Sequence, residues 1–369
     1  MKKLAIWLTG ALLFMTSCSP NINEDELVKK ENETANQNPS IVPSYQLSDE
    51  EYKMILPYKP SAARGVITGQ MGNRLDIDQV EEGLRRHSKK YYDPGNHFFQ
   101  AGQQLSESTV YSWIDGLNPV VKEDAKEEVY RENPRYLSHI LEQNFLKKKK
   151  DNTVELAGIS IGLALKSEYR FQTESGGPYY EKISQEVMLK QGKQMAQTIL
   201  ERVRKMEGLD DVPIVFAIYR EEAQGTPIPG DFVAKTQVKG SDMSIGDWDS
   251  IQEEHVLFPS DKASTKYSDN AQLISSFTNE VAQFFPNYTG VIGEGFYMNE
   301  ELMKLTLEVP IEFYGKGEVI GFSQYAYGLV KEMFPNDFDL EIKVTSSEKV
   351  ESLIYRRAGV EDPTVHILH

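Results

Sequence analysis

One motif with the composition of a catalytic site is Gly158-x-Ser160-x-Gly162, which matches the G-x-S-x-G pattern around nucleophilic serines. In α/β-hydrolases this serine stands on a strained turn between a strand and a helix, which exposes its Oγ in a cleft. Here the residues on both sides of Ser160 continue the alternation of a strand, and no helical pattern begins nearby. His255 and His366 lie downstream, where a base could be found. We therefore expect a protein that is not an enzyme, with a hydrolase that uses Ser160 as the alternative.

A second pattern, Gly315-x-Gly317-x-x-x-Gly321, stands between a predicted strand and a predicted helix, and Glu341 follows further along. This order is close to the fingerprint of dinucleotide-binding folds. The last glycine comes one residue late, and Glu341 falls at the start of its predicted strand, whereas the ribose-binding acid stands at the end. We interpret the glycines as a tight turn and expect no nucleotide cofactor.

Metal-binding patterns are incomplete in the sequence. Asp337, Asp339 and Glu341 alternate like part of a calcium loop, but the glycine and the final glutamate of such a loop are missing. The six histidines are scattered along the chain, so they do not form a zinc set. We expect neither a metal nor another cofactor.

The N-terminal segment has the three parts of an export signal. Lys2 and Lys3 form a short basic region, and residues 4–15 form an apolar run that is too short to span a bilayer as a helix. Residues 19–44 are polar, with few large apolar side chains, so we expect a flexible tether there.

Cys18 is the only cysteine in the chain, so it cannot form an internal disulfide. With the preceding Met15, Thr16 and Ser17 it resembles a bacterial lipobox. The resemblance implies a diacylglycerol on the Cys18 sulfur and cleavage between Ser17 and Cys18 by a lipoprotein signal peptidase. Each buried CH₂ of an acyl chain contributes ~0.8 kcal/mol, so two or three chains would anchor the protein stably. The expected partners are therefore the membrane, through this lipid, and the lipoprotein-processing enzymes.

Length and charge limit the function of the rest of the chain. The 369 residues are 40% hydrophobic, which suffices for one large or two smaller folded domains. The formal net charge of −16 argues against nucleic acid as a partner, because phosphate contacts need a basic face.

The pattern of the folded part changes near residue 153. Residues 46–152 read as mostly helical, with a short helix opened by Ser48 through residue 56 and another helix over residues 137–145. Beyond residue 153, strands and helices alternate: strand, long helix over 183–206, and strands over 212–219 and 232–238.

The same order returns in the last third of the chain. A strand over residues 302–314 precedes a helix over 318–334 and strands over 340–345 and 350–356. We predict an α+β fold with two related strand–helix–strand–strand repeats, joined by a helix over residues 270–285, and a mostly helical N-terminal region. The expected divisions are a signal peptide (1–17), a tether (18–45), the mostly helical part (46–152), the first repeat (153–268) and the second repeat (269–369).

Five segments resemble one known family: residues 52–65 (YKMILPYKPSAARG), 136–145 (YLSHILEQNF), 191–204 (QGKQMAQTILERVR), 212–220 (VPIVFAIYR) and 310–325 (PIEFYGKGEVIGFSQY). They are similar to the CamS sex-pheromone lipoprotein family of Firmicutes. The resemblance implies a lipoprotein on the outer face of a Gram-positive cell membrane, with a two-repeat globular body.

In this family the released signal peptide is trimmed to a short apolar peptide that ends directly before the cysteine. By position, this candidate pheromone would comprise Ala11, Leu12, Leu13, Phe14, Met15, Thr16 and Ser17. Its last two residues are polar, where the resemblance implies small apolar ones. For the body we expect a binding or scaffolding module of the envelope with an unknown ligand or partner. The alternatives are a hydrolase and a small-ligand-binding lipoprotein, and the latter predicts a deep aromatic-lined cleft between the repeats.

Overall fold

The computed structural model describes residues 26–30, 40–43, 45–150, 153–174, 176–285, 287–288, 290–313, 315–347 and 349–368. The signal peptide, Cys18 and the candidate peptide of residues 11–17 lie outside these ranges. In the described part of the chain, no helix is both long and apolar enough to cross a membrane.

Two units follow one another along the chain. In chain order, the first contains β1 (Glu26–Lys30), β2 (Ser40–Val42), β3 (Lys53–Met54), α1 (Val66–Gln70), α2 (Arg74–Ser88), β4 (Phe98–Ala101), α3 (Glu107–Leu117), α4 (Glu127–Glu132), β5 (Leu137–Lys148), β6 (Thr153–Leu165), β7 (Glu168–Thr173), β8 (Gly176–Lys182), α5 (Gln185–Val203), β9 (Ile214–Arg220), β10 (Asp231–Val238) and β11 (Asp249–Ser250). The second contains β12 (Glu253–Phe258), α6 (Asp261–Lys266), α7 (Ser268–Phe284), β13 (Ile292–Met298), β14 (Glu301–Pro310), α8 (Lys316–Met333), β15 (Asp339–Thr345), β16 (Val350–Arg356) and β17 (Thr364–Ile367).

Each unit has its own sheet. The first sheet runs β11-β10-β9-β6-β5-β4-β3, with β1 added beside β6 and β2 beside β1. The second runs β12-β13-β14-β15-β16-β17, and β7 with β8 forms a separate hairpin.

The two sheets share one topology. The run β4-β5-β6-β9-β10-β11 has the same order of neighbours as β12 to β17, and in both runs only the central pair is parallel among the described strands. The parallel pairs are β6 with β9, connected through α5, and β14 with β15, connected through α8. The predicted α+β fold with two related repeats is thus confirmed, and each repeat extends further than the sequence indicated.

The helix predicted over residues 137–145 is wrong, because β5 occupies this stretch. Leu137, Ile140, Leu141 and Phe145 have helical spacing, but ten consecutive residues of β5 are buried. A strand that is covered on both faces shows no alternation, so its apolar residues fit either period. The short helix predicted over residues 48–56 is also wrong, since β3 pairs there with β4.

The elements cross the divisions expected from the sequence. The stretch of residues 18–45, expected as a flexible tether, contains β1 and β2, and β1 pairs with β6 of the first sheet. Residue 153 begins β6, which is hydrogen-bonded to β5, so residues 46–152 and the first repeat share one sheet. The helix expected over residues 270–285 as a connector is α7, whose Ile274, Phe277 and Val281 pack into the core of the second unit. That unit begins with Glu253, the first residue of β12.

The units meet around the carboxylate of Glu253, whose side chain is fully buried. Arg86 Nη2 and His87 Nε2, both from α2, each lie 2.8 Å from Glu253 Oε1. The backbone N–H of Phe232 on β10 donates to the other oxygen at 3.3 Å. A short loop and this buried charge cluster therefore connect the two units.

Candidate functional site

The structure places Ser160 in the middle of β6, fully buried, and not on a turn. Its Oγ lies 2.7 Å from Ser88 Oγ, and Ser88 donates its own hydrogen to the carbonyl oxygen of Leu84. Ser160 is therefore the donor to Ser88. A serine in this position cannot reach a substrate without opening the sheet, so the geometry of a nucleophile elbow is absent at Ser160.

The glycine before Ser160 has a packing reason. A Cβ added to Gly158 would lie 2.1 Å from Cε1 of Tyr92, whose ring crosses the strand at this point. The two histidines considered as bases lie on the second sheet: His255 is on β12, 2.7 Å from Asp231, and His366 is on β17. The motif therefore arises from close packing on β6.

The other sequence patterns also have structural roles. Gly315 precedes α8, and Glu341 forms ion pairs with Lys304 at 3.4 Å and Lys343 at 3.2 Å. Asp339 accepts a hydrogen bond from the backbone N–H of Ala358. Across the described residues, no group of three or more His, Cys, Asp or Glu side chains is arranged to hold a metal ion.

A cavity of about 350 Å³ lies in the first unit, against the end of β5 that β4 does not cover. We call it the β5 cavity. Its walls are mostly apolar side chains from β4, β5, helices α1 to α3 and the loop before α3: Ile67, Ile77, Phe99, Leu105, Val110 and Leu141. The alternative of a small-ligand-binding lipoprotein predicted an aromatic-lined cleft between the repeats. In the described structure the buried ion cluster of Glu253 lies at the contact between them instead.

The cavity exists because β4 is short. It pairs with residues 143–146 of β5 and ends at Ala101, where Gly102 turns the chain back over Glu142. A Cβ on Gly102 would lie 2.6 Å from the carbonyl oxygen of Glu142, so this approach requires glycine.

The turn after Gly102 also satisfies a buried carboxylate. The backbone N–H groups of Gln103, Gln104 and Leu105 donate to Glu142 at 2.7–3.1 Å. Ser106 then caps α3 by accepting from the N–H of Thr109. Burial raises the pKa of Glu142, and these hydrogen bonds oppose that shift.

Besides Glu142, two more buried polar side chains of β5 line the cavity. His139 is 2% exposed and Gln143 is 3% exposed. Within the described structure, His139 Nδ1 and Gln143 Oε1 have no hydrogen-bond partner. They lie on the same face of β5, with Leu141 between them, because side chains alternate along a strand. Burial lowers the pKa of His139 to about 3, so its imidazole is neutral at physiological pH.

Charged side chains of both signs surround the cavity. Arg64 and Arg85 contribute positive charge, and Asp78 and Glu81 contribute negative charge. The guanidinium of Arg85 also lies 5.7 Å from the centroid of the Phe99 ring. Because Glu142 also lines the cavity, its lining contains three acidic and two basic side chains.

Apolar walls with a few buried polar groups are typical of a small-molecule binding site. The sequence analysis missed His139 and Gln143 because it placed both in a helix. His139 and Gln143 each stand two residues from Leu141. In a strand this spacing places all three side chains on one face, and it is the sequence signal that could have identified them.

Comparison with known proteins agrees with this fold. Residues 58–362 match the family model described as CamS sex pheromone cAM373 precursor. No match is found among curated proteins.

Solved structures of related proteins resemble the chain. The sex pheromone precursor from Lactobacillus salivarius subsp. salivarius UCC118 superposes with a TM-score of 0.83 at 28% identity, covering 89% of this chain and 99% of that chain. The C-terminal domain of the sex pheromone staph-cAM373 precursor from Staphylococcus aureus gives a TM-score of 0.70 at 28% identity, covering 81% and 98%. With its family match over most of its length, the chain belongs to the CamS family of sex pheromone cAM373 precursors.

Proposed function

We propose that the protein is a lipoprotein of the outer cell surface, anchored by a diacylglycerol on Cys18. Two observations support this function. The chain belongs to the CamS family, and Cys18 follows an apolar segment with a basic start, as in exported lipoproteins. The chain has a formal net charge of −16, which an anionic lipid surface repels, so a covalent anchor explains attachment better than electrostatics does.

The anchor is tested by Cys18→Ala. We expect this variant to lose labelling by radioactive palmitate and to appear in the medium, while Ser19→Ala, the next residue along, keeps both label and membrane attachment. Full membrane retention of Cys18→Ala without label would contradict the anchor.

In the same proposal, the discarded segment ending at Ser17 supplies a pheromone-like peptide, ALLFMTS. The names of the related proteins support this role, and the position directly before Cys18 identifies the peptide. The synthetic peptide should cause clumping of recipient cells at micromolar concentration. A peptide of the same composition in scrambled order is the control, and equal silence of both peptides would refute the pheromone role.

The body binds a small molecule in the β5 cavity. The observation that carries this part is the cavity itself, whose largely apolar lining includes two buried polar side chains, His139 and Gln143. In the described structure, His139 Nδ1 and Gln143 Oε1 have no hydrogen-bond partner. Buried polar groups are generally hydrogen-bonded, because an unsatisfied one costs about 1–3 kcal/mol. A hydrolase that uses Ser160 is disfavoured by its burial within β6.

A fragment library screened by ligand-observed NMR tests this binding. We expect fragment signals to broaden with the wild-type protein and to recover with Ala101→Phe, since Ala101 lines the cavity and the added ring would fill it. Ala125→Phe, on a surface loop outside the cavity, serves as the control. Hits that bind Ala101→Phe unchanged would show that the cavity is not the site.

A further inference from the structure

We propose that the tip of the hairpin formed by β5 and β6 lies against anionic phospholipid headgroups of the membrane that holds the protein. We call residues 147–155 the hairpin tip. This inference rests on the proposed anchor at Cys18 and adds which end of the body faces the bilayer. The path of β1, the projection of the hairpin tip and the charge of the hairpin tip carry it.

The path of β1 places the anchor on the side of the hairpin tip. Lys29 of β1 pairs with Thr153, the first residue of β6, and the two strands are parallel. Because parallel strands run in the same direction, the chain enters β1 from the side on which β6 begins. Only seven residues separate Cys18 from Glu26, the first residue of β1, so at most about 30 Å lies between them. The anchor therefore meets the body at the end that carries the hairpin tip.

The hairpin tip projects beyond the strands on either side of it. The first residue of β4 pairs with Leu146, so Lys147 and Lys148 continue β5 beyond that strand. On the other side, β9 begins opposite Ile159, whereas β6 begins at Thr153. Neither β4 nor β9 therefore covers the hairpin tip, and its backbone pairing within the hairpin holds it in place.

The hairpin tip is basic in an acidic protein. It begins with four consecutive lysines, of which three are exposed and Lys149 is partly exposed. Lys149 pairs with Glu155 at 2.9 Å. Against Asp151 and Glu155, the four lysines give residues 147–155 a formal charge of +2, whereas the whole chain carries −16. Lysines beside a membrane anchor are complementary in charge to anionic headgroups.

The short connection to the anchor makes a weak attraction effective. Residues 24–26 are acidic, and an anionic surface repels this part of the connection. The lysines of the hairpin tip offset that repulsion on the same side of the body. Since Cys18 keeps the hairpin tip close to the bilayer, an attraction that is too weak to recruit the free protein suffices to orient the anchored one.

Lysine acetylation of the anchored protein tests this inference. The protein purified from its own membranes is inserted into vesicles of phosphatidylcholine, either alone or with one third phosphatidylglycerol, and mass spectrometry measures the rate at each lysine. We expect Lys149 to react about fivefold more slowly on the anionic vesicles, the effect of a lysine held at a charged surface. Lys349, an exposed lysine of the second unit, should react equally on both.

Two triple variants separate attraction from simple proximity to the anchor. Replacing the three exposed lysines of the hairpin tip by glutamine keeps Lys149 as the reporter and should abolish the difference between the vesicles. A control that removes three exposed lysines elsewhere in the first unit should retain it. The first variant combines Lys147→Gln, Lys148→Gln and Lys150→Gln, and the control combines Lys122→Gln, Lys182→Gln and Lys190→Gln.

The outcomes distinguish this inference from the anchor on which it rests. Equal reactivity of Lys149 on both vesicles in the wild-type protein, or a difference that the hairpin variant retains, would overturn the contact and leave the anchor in place. A wild-type protein that does not float with either vesicle would overturn the anchor and the contact together. The wild-type comparison needs no substitution, so it stands even if the hairpin variant does not fold.

Discussion

Replacing Glu253 by glutamine should weaken the contact between the two units. The substitution keeps the volume of the side chain but removes the charge that faces Arg86 and His87. Burial alone would raise the pKa of Glu253, but the hydrogen bond from His87 and the positive charge of Arg86 outweigh it and lower the pKa from 4.5 to about 2. A shift of this size corresponds to on the order of 3 kcal/mol of stability at neutral pH.

The direction of the pH dependence follows from this lowered pKa. The folded protein holds Glu253 ionised to a lower pH than the unfolded chain does. The stabilisation is therefore complete above the unfolded value and disappears as the pH falls from about 4.5 towards about 2. The difference between the wild-type protein and Glu253→Gln should shrink over the same interval.

Urea denaturation at pH 7 and at pH 3 measures both effects. We expect Glu253→Gln to lower the free energy of unfolding by about 3 kcal/mol at pH 7 and by less at pH 3. Glu308→Gln, an exposed carboxylate on β14, is the control and should change stability by less than about 0.5 kcal/mol. A loss at pH 7 no larger than that of the control, or one equally large at both pH values, would refute the electrostatic account of this contact.

Three further predictions concern β6 and the β5 cavity. Gly158→Ala should destabilise the protein by about 1–3 kcal/mol in thermal or urea unfolding, because the new methyl group meets the ring of Tyr92; wild-type stability would contradict that packing. Ser160→Ala should cost about 1 kcal/mol through the lost hydrogen bond to Ser88 and leave surface attachment unchanged, and a loss of function at wild-type stability would support the hydrolase instead. The imidazole resonances of His139 should titrate near pH 3, and stability should fall with acid below pH 6.5, where only the unfolded state binds the proton; a midpoint near 6.5 would show that the ring is not buried.

The cavity distinguishes the two repeats. In the second unit β12 pairs with β13 along its whole length, from Met298 to Gly293. In the first unit the equivalent strand, β4, has four residues and covers only part of β5. With the same topology, the first strand of the second repeat is paired along its whole length. In the first repeat, β4 leaves part of β5 uncovered, and the β5 cavity lies there. Because of this difference, the repeated topology does not predict an equivalent of the β5 cavity in the second unit.

The sequence revealed the repeat because its helices are amphipathic and carry local signals. Residues of α5 such as Met195 and Ile199 form one buried stripe, and Ser184 caps the first turn. The strand β5 could not be recognised in the same way, since burial on both faces removes the alternation.

The β5 cavity could not be predicted from the sequence for a different reason. It depends on contacts between residues that are distant in the chain, such as Gly102 with Glu142 and Glu81 with Gln143. The periodicity of apolar residues indicates which side chains face the core. It does not show where the packed side chains leave a cavity. Ser160 on β6 is the opposite case. The sequence contains the residues of a catalytic motif, and the packing around them shows that their role is structural.

The most direct test of the central claim, that the anchored body binds a small molecule in the β5 cavity, is native mass spectrometry of the protein purified from its own membranes. The account predicts a low-mass adduct on the wild-type protein that is absent from Ala101→Phe and retained by Ala125→Phe. Spectra of the lipidated protein alone in all three preparations, or an adduct that Ala101→Phe retains, would contradict it.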